Sequence, residues 1–415
     1  MVAMPSLLRT AAVLSILSAS LTAEAALFPV AVESATRRTA GGDTIAYDLY
    51  VPQPGPGLPA PPWPSVVLNH GFARDKRYHA QNARFLAERG IVTLVPNLVS
   101  LLGGEGAQLR NIANTVDHMA WLRARSAAPG DSLRGLVDPR RVGLAGHSAG
   151  GAVAFEAAWE QERSMGIPAS ALVLLDAVPW TRTLARAAGL GPLFAVNLRA
   201  EPSACNAFGS NLGLLDAVSF PVDDVRLAGT NHCDPESPSD FLCALACGAA
   251  TPRGTSLYQE LLYLFLRDAL QAPAVVPGPG FRERVAALEA QGEVVRESYG
   301  PAASLRLKVN GQDPPSGAVA APGWLRLSLD VVAPGHGPAV DWYLAAVAGE
   351  TVLWFTATGL SATPAPAYRG PAVPVADAVL IDAPLAPGSV VSFVVALVDG
   401  TQLVASDVVT ASAAP

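Results

Sequence analysis

Residues 141–150 read Arg141-Val142-Gly143-Leu144-Ala145-Gly146-His147-Ser148-Ala149-Gly150, and a helix-forming run continues to Gln161. Arg141–Ala145 is strand-like, Ala149–Gln161 has the composition of a helix, and the pentapeptide G-x-S-x-G lies between them. A serine at such a strand-to-helix turn is held with its hydroxyl exposed, and Gly146 and Gly150 let the backbone turn without a clash. In a chain with 37 glycines the pentapeptide alone says little. Its flanks give it meaning. Ser148 is therefore the candidate nucleophile.

Working outward, the same alternation of strands and helices surrounds the elbow. Asp43–Val51 alternates like a strand, Ser65–Asn69 is a short apolar run, and Ile91–Val95 is another before Pro96. Tyr78–Arg89 and Leu109–Arg123 have helical spacing. Ala171–Leu175, Leu193–Leu198 and Asp224–Leu227 read as further strands, and Leu257–Ala269 as a helix. Such an order implies a largely parallel sheet covered by helices on both faces.

Composition fits two folded domains. The chain has 415 residues, half of them hydrophobic and 15% charged, with a formal charge of −7. No basic cluster stands out, which argues against a nucleic-acid partner. Residues 1–25 combine Arg9, an apolar and small-residue stretch and Ala23-Glu24-Ala25, the pattern of a cleaved signal peptide. The expectation is export, to the periplasm or beyond the cell. Residues 26–271 form the expected catalytic domain. Pro/Gly-rich Ala272–Gly280 opens a linker (272–303) that holds a short helix near Phe281–Val294. From about Ser304 to the end, period-two runs such as Leu325-Leu327-Leu329-Val331 predict an all-β sandwich.

A serine nucleophile needs a base, an acid and amide donors for the oxyanion. Among six histidines, His70 and His147 belong to the two turns, His79 and His118 fall on helices before the elbow, and His336 is in the other domain. His232, after the strand Asp224–Leu227, remains as the base. Asp176 and Glu201, each following a strand, are alternative acids. The amides of Phe72, in His70-Gly71-Phe72, and of Ala149 are the expected oxyanion donors. Trp180, Trp63 and Phe72 could line an apolar acyl site. No metal or organic cofactor is required by this chemistry.

Cys205, Cys233, Cys243 and Cys247 suit disulfides in an oxidising compartment. Cys243 and Cys247 share a helix face at a spacing poor for a direct bridge, so each should pair with Cys205 or Cys233. A zinc site is the rival reading, but the spacings match no common finger.

These segments resemble the chlorophyllase-like branch of the α/β-hydrolases, related to dienelactone-hydrolase-type and cutinase-like esterases. The similarity rests on His70-Gly71-Phe72, the Tyr78–Arg89 helix with Gly90-Ile91-Val92 and Pro96, Trp121-Leu122, the GHSAG elbow, Leu175–Pro179 and the Cys205 region. It spans roughly residues 40–270. The resemblance implies the α/β-hydrolase fold, ester hydrolysis through an acyl-enzyme, and Asp176 as the acid. Asn231-His232-Cys233-Asp234-Pro235-Glu236 departs from plant chlorophyllases, so chlorophyll itself is not implied. The tail is similar to β-sandwich modules of bacterial exported proteins and could contact a surface or polymeric substrate. Two alternatives stand beside this function: amide or peptide hydrolysis by the same residues, and a non-catalytic binding protein acting through its sandwich.

Overall fold

The computed structural model describes residues 27–99, 104–165, 168–301, 303–313, 318–321, 323–333, 339–372 and 374–413. The expected signal peptide and His336 lie outside these. A nine-stranded sheet runs β1 (Val30–Arg38), β2 (Thr44–Pro52), β4 (Val92–Pro96), β3 (Trp63–Asn69), β5 (Val137–His147), β6 (Ala171–Leu175), β7 (Phe194–Arg199), β8 (Val222–Leu227), β9 (Val294–Tyr299). The six strands from β4 to β8 in that order are parallel, while β1, β2 and β9 pair antiparallel at the two edges.

The central strands are apolar without interruption because both their faces are covered. Val67 of β3 packs with α2 (Gly104–Ala127) and α3 (Ala149–Met165) through Ile112, Met119, Leu122 and Phe155. Its neighbours Val66 and Leu68 face α1 (Ala80–Ala87), α7 (Pro252–Ala269) and α8 (Phe281–Ala290) through Leu86, Leu261, Leu266 and Val285. Shorter helices α4 (Thr181–Arg186), α5 (Leu212–Ala217) and α6 (Phe241–Cys247) lie in the connections after β6, β7 and β8.

Segment 272–303 does more than link. Besides α8 it supplies β9, whose six residues pair with β8 along its whole length. Its edge position, with an alternately exposed pattern, leaves only a weak apolar signal. β1 is missed for the same reason, since most of its residues face solvent.

Residues beyond 303 form two sheets, one of β10 (Ser304–Val309), β12 (Trp324–Val332) and β17 (Val375–Pro384). The other contains β11 (Ala318–Ala320), β13 (Ala339–Ala348), β14 (Thr351–Thr356), β15 (Gly359–Ser361), β16 (Tyr368–Pro371), β18 (Val390–Asp399) and β19 (Gln402–Ser412). Leu305, Leu307, Leu327 and Leu329 of the first sheet share a core with Phe393, Val395, Leu397 and Val409 of the second. Period-two alternation puts these residues on the inner faces. Buried Arg306 joins this unit to α3 through Glu162 at 3.0 Å.

Candidate active site

Ser148 sits between β5 and α3 with a φ of 56°, a left-handed backbone that a non-glycine residue adopts only when its surroundings enforce it. Leu175 carbonyl accepts from the Ser148 amide at 3.0 Å, and the Ser148 carbonyl accepts from Val178 N–H at 3.1 Å. The flanking glycines are steric requirements. A Cβ on Gly146 would stand 2.1 Å from the Gly150 carbonyl oxygen, and one on Gly150 would stand 2.3 Å from that of His70. Both approaches are closer than any side chain tolerates, which is why the elbow is legible in sequence.

Three parallel strands deliver their partners at the same edge. His232, in the loop after β8, has Nε2 at 3.0 Å from Ser148 Oγ and Nδ1 at 2.6 Å from Asp176 Oδ2. Asp176 follows β6 with a φ of 44°. Its Oδ1 accepts from Ala200 N–H at 2.9 Å, and Asn206 Nδ2 donates to Oδ1 and Oδ2 at 3.1 and 3.2 Å. Glu201 turns away: both its oxygens lie 2.6 Å from Arg226 Nη1, half in solvent. The carboxylate against the imidazole is therefore Asp176.

The loop after β3 closes the other side of Ser148. His70 is buried, Leu98 N–H donates to its Nε2 at 2.9 Å, and its Nδ1 then donates to the Gly71 carbonyl at 2.9 Å. Burial pushes this imidazole down to about 4, so it stays neutral and fixes the loop. A Cβ on Gly71 would press on Ser148 Cβ at 3.1 Å. Among the described residues, neither Phe72 N–H nor Ala149 N–H meets an acceptor. The Ala149 amide also opens α3, whose dipole favours negative charge there.

His147 is buried beside the base, its ring centre 4.7 Å from that of His232. Its Nε2 donates to the His232 carbonyl at 2.8 Å, and burial first, then the neighbouring His232, holds it well below the ordinary histidine range. It cannot act as a base toward Ser148. It ties the elbow to the loop that carries His232.

A cavity of about 300 Å³ opens over Ser148 and His232, lined among others by Phe72, Arg74, Glu236, Leu242 and Ala246. Arg74 is neutralised by Glu236 at 2.7 Å and Asp240 at 3.1 Å, so the wall carries no free cation there. Phe72 and Leu242 of this lining are 51% and 64% exposed, and Phe208, Phe241 and Leu245, elsewhere on the surface, are 73% to 75% exposed.

Two expected lining residues are corrected. Trp63 has no exposed surface, packs edge-to-face on Phe28 in the core, and starts β3 at the far end of the strand from Ser148. Trp180 packs against the same core at the start of α4 and does not line the cavity. An aromatic residue at the edge of an apolar run cannot be told from a pocket wall without knowing which end of the element it occupies.

The cysteines form Cys205–Cys247 and Cys233–Cys243. The sulfurs of Cys233, Cys243 and Cys247 lie within 4.8 Å of one another, but all are spent in disulfides and offer no thiolate to a metal. Asn206 was invisible beforehand, because a buried asparagine after a cysteine carries no periodic signal. Among the described residues no helix is long and apolar enough to cross a membrane.

A mainly parallel α/β sheet with serine, histidine and aspartate at its carboxyl edge is thus the class that fold and site define. A sequence model of the family described as Chlorophyllase matches residues 56–188, and that family belongs to the α/β-hydrolase class. The matched stretch runs from before β3 through α4, so it contains Phe72, Ser148 and Asp176 and ends before His232. No curated protein matches the chain.

Proposed function

We propose that this protein is an exported serine ester hydrolase of the α/β-hydrolase fold. The observation that carries the reading is the continuous line from Asp176 through His232 to Ser148, at 2.6 and 3.0 Å. His232 Nε2 takes the Ser148 proton as Oγ attacks an ester carbonyl. The Phe72 and Ala149 amides donate hydrogen bonds to the oxyanion of the tetrahedral intermediate. Asp176 holds the Nδ1–H tautomer and stabilises the imidazolium, which then protonates the departing alcohol. Water repeats the sequence to release the acid. The exposed Phe72 and Leu242 at the mouth support an apolar acyl or alcohol group, lipid-like or polyester-like. Two disulfides support an oxidising compartment. On the C-terminal unit, Tyr343 and Trp354 with Val394, Ala396 and Val398 form an apolar outer face that supports contact with an insoluble substrate.

The test is release of p-nitrophenol from short and medium acyl esters by the purified protein, beside Ser148→Ala. Turnover that disappears in the variant, with a phosphonate probe labelling Ser148, is the expected result. Folded wild-type protein that neither turns over esters nor takes the probe overturns it.

A further inference from the structure

The Asp176 carboxylate is fixed from a segment that the acyl-transfer chemistry does not itself use. Asn206 is 2% exposed, and its side chain is fully engaged. Oδ1 accepts from Ser203 N–H at 2.8 Å, which settles the amide orientation, so Nδ2 faces both Asp176 oxygens and the Glu201 carbonyl. The residues that follow are strained. Ala207, Phe208 and Gly209 have φ values of 48°, 54° and 79° in succession. Such a run persists only where the surroundings over-determine it.

Beside that run lies a helix of seven residues, α6, to which its segment is joined by a disulfide. Cys205, next to Asn206, is bonded to Cys247 at the end of α6. Cys233, next to His232, is bonded to Cys243 of the same helix. The clamp on the acid and the loop of the base are thus moored to one short element. A second mooring supports the base: Asp234, fully buried, accepts from Asn231 N–H at 2.7 Å and Thr251 N–H at 2.6 Å.

We propose that Asn206 is a positioning residue that fixes the Asp176 carboxylate against His232, and that α6 with its two cystines is the brace keeping clamp and base in register. The proposal rests on the serine hydrolase reading. Without the Asn206 donors the carboxylate keeps only the Ala200 amide beside the imidazole, so its charge is compensated more by His232, which the pH profile of turnover reports. Opening Cys205–Cys247 with a dithiol, which is itself oxidised as the two thiols form, loosens the strained turn and acts in the same direction.

The experiment compares full-length wild type, Asn206→Leu, Cys205→Ser/Cys247→Ser and Ser148→Ala on a soluble p-nitrophenyl ester across pH. Asn206→Ala replaces Asn206→Leu if the larger side chain prevents folding, as judged by near-ultraviolet circular dichroism. The expected result for the Asn206 variant is a kcat lower by about tenfold to a hundredfold with KM little changed. The acid limb of kcat/KM moves to higher pH. The cysteine pair variant, and wild type treated with dithiothreitol, shift the same limb by less. A folded Asn206 variant with wild-type kcat and limb overturns the proposal, and so does a loss of kcat with an unmoved limb, which marks a merely structural residue. A Ser148→Ala protein that keeps its turnover overturns the underlying reading instead, whatever Asn206 does.

Discussion

The carboxyl edge of the nine-stranded sheet and the C-terminal pair of sheets both bury polar groups, but they do so differently. At the sheet edge His70, His147, His232 and the Asp176 carboxylate are buried among backbone and side-chain hydrogen-bond partners. His70, His147 and His232 all find partners within 3.0 Å. In the C-terminal unit the shared core is apolar, and charge gathers at its boundary with the first unit. Arg306 meets Glu162 there at 3.0 Å and Asp313 at 3.3 Å, while Lys308 meets Asp330 at 2.8 Å. Burial of polar groups in the first region lines up Asp176, His232 and Ser148. In the second it fixes one surface against another, where ion pairs offer orientation rather than chemistry.

The comparison breaks most completely at Ser148. Ser148→Ala is expected to lower ester turnover by about a thousandfold or more while leaving the melting temperature near wild type. Assay beside thermal unfolding checks both halves.

Truncation sharpens the boundary between the regions. A chain ending at Gly300 keeps β9 and should retain turnover on soluble esters while losing hydrolysis of an insoluble one. A chain ending at Gln271 loses α8 and β9, leaves β8 without its edge partner, and strips Phe281, Val285 and Leu288 from the core. It should be insoluble or unfolded, as circular dichroism would report.

Trp63 and Phe72 separate core from mouth. Trp63→Ala is expected to destabilise by about 3–5 kcal/mol in denaturant titration, with unchanged preference among acyl chain lengths. Phe72→Ala should change that preference and move stability by no more than about 0.5 kcal/mol.

pH tests the two regions in opposite senses. Burial holds His70 down to about 4 and His79 and His118 down to about 3, against an ordinary 6.5. Their contribution to stability is present above about pH 6.5 and is lost as pH falls toward these values, because the unfolded chain then binds more protons. Burial raises Asp313 to about 7 from 3.8. Its contribution is present below about 3.8 and is lost as pH rises through 7. Each fully titrating group gives a slope of about 1.4 kcal/mol per pH unit. Melting temperatures from pH 4 to 8 should fall on the acid side in the wild type. Asp313→Asn removes the opposing slope between about pH 4 and 7, so the fall on the acid side should steepen while the curve above pH 7 keeps its shape.

How much of this is legible beforehand follows from the range of the forces involved. The elbow is local: strand, glycine, serine, glycine and helix are adjacent, and the contact that demands Gly146 is with Gly150 itself, although Gly150 also answers to the His70 carbonyl across the sheet. The central strands are legible too, because burial on both faces makes them uninterrupted apolar runs. Edge strands β1 and β9 are not, since solvent on one side dilutes the pattern. Position in the chain left Asp176 and Glu201 open as acids, and only the resemblance favoured Asp176. Geometry places Asp176 at 2.6 Å from His232 and Glu201 on Arg226. That choice depends on loops from β6, β7 and β8 meeting across the sheet. The cysteine partners were likewise narrowed by helical spacing but decided by how α6 packs between two loops. Sequence by itself determined what is set by neighbours along the chain, namely the turn and the strand-helix order. Tertiary structure alone decided which carboxylate faces the imidazole, which sulfurs meet, that Asn206 holds the acid and that Trp63 is core, because each is a contact between segments whose separation only the folded sheet removes.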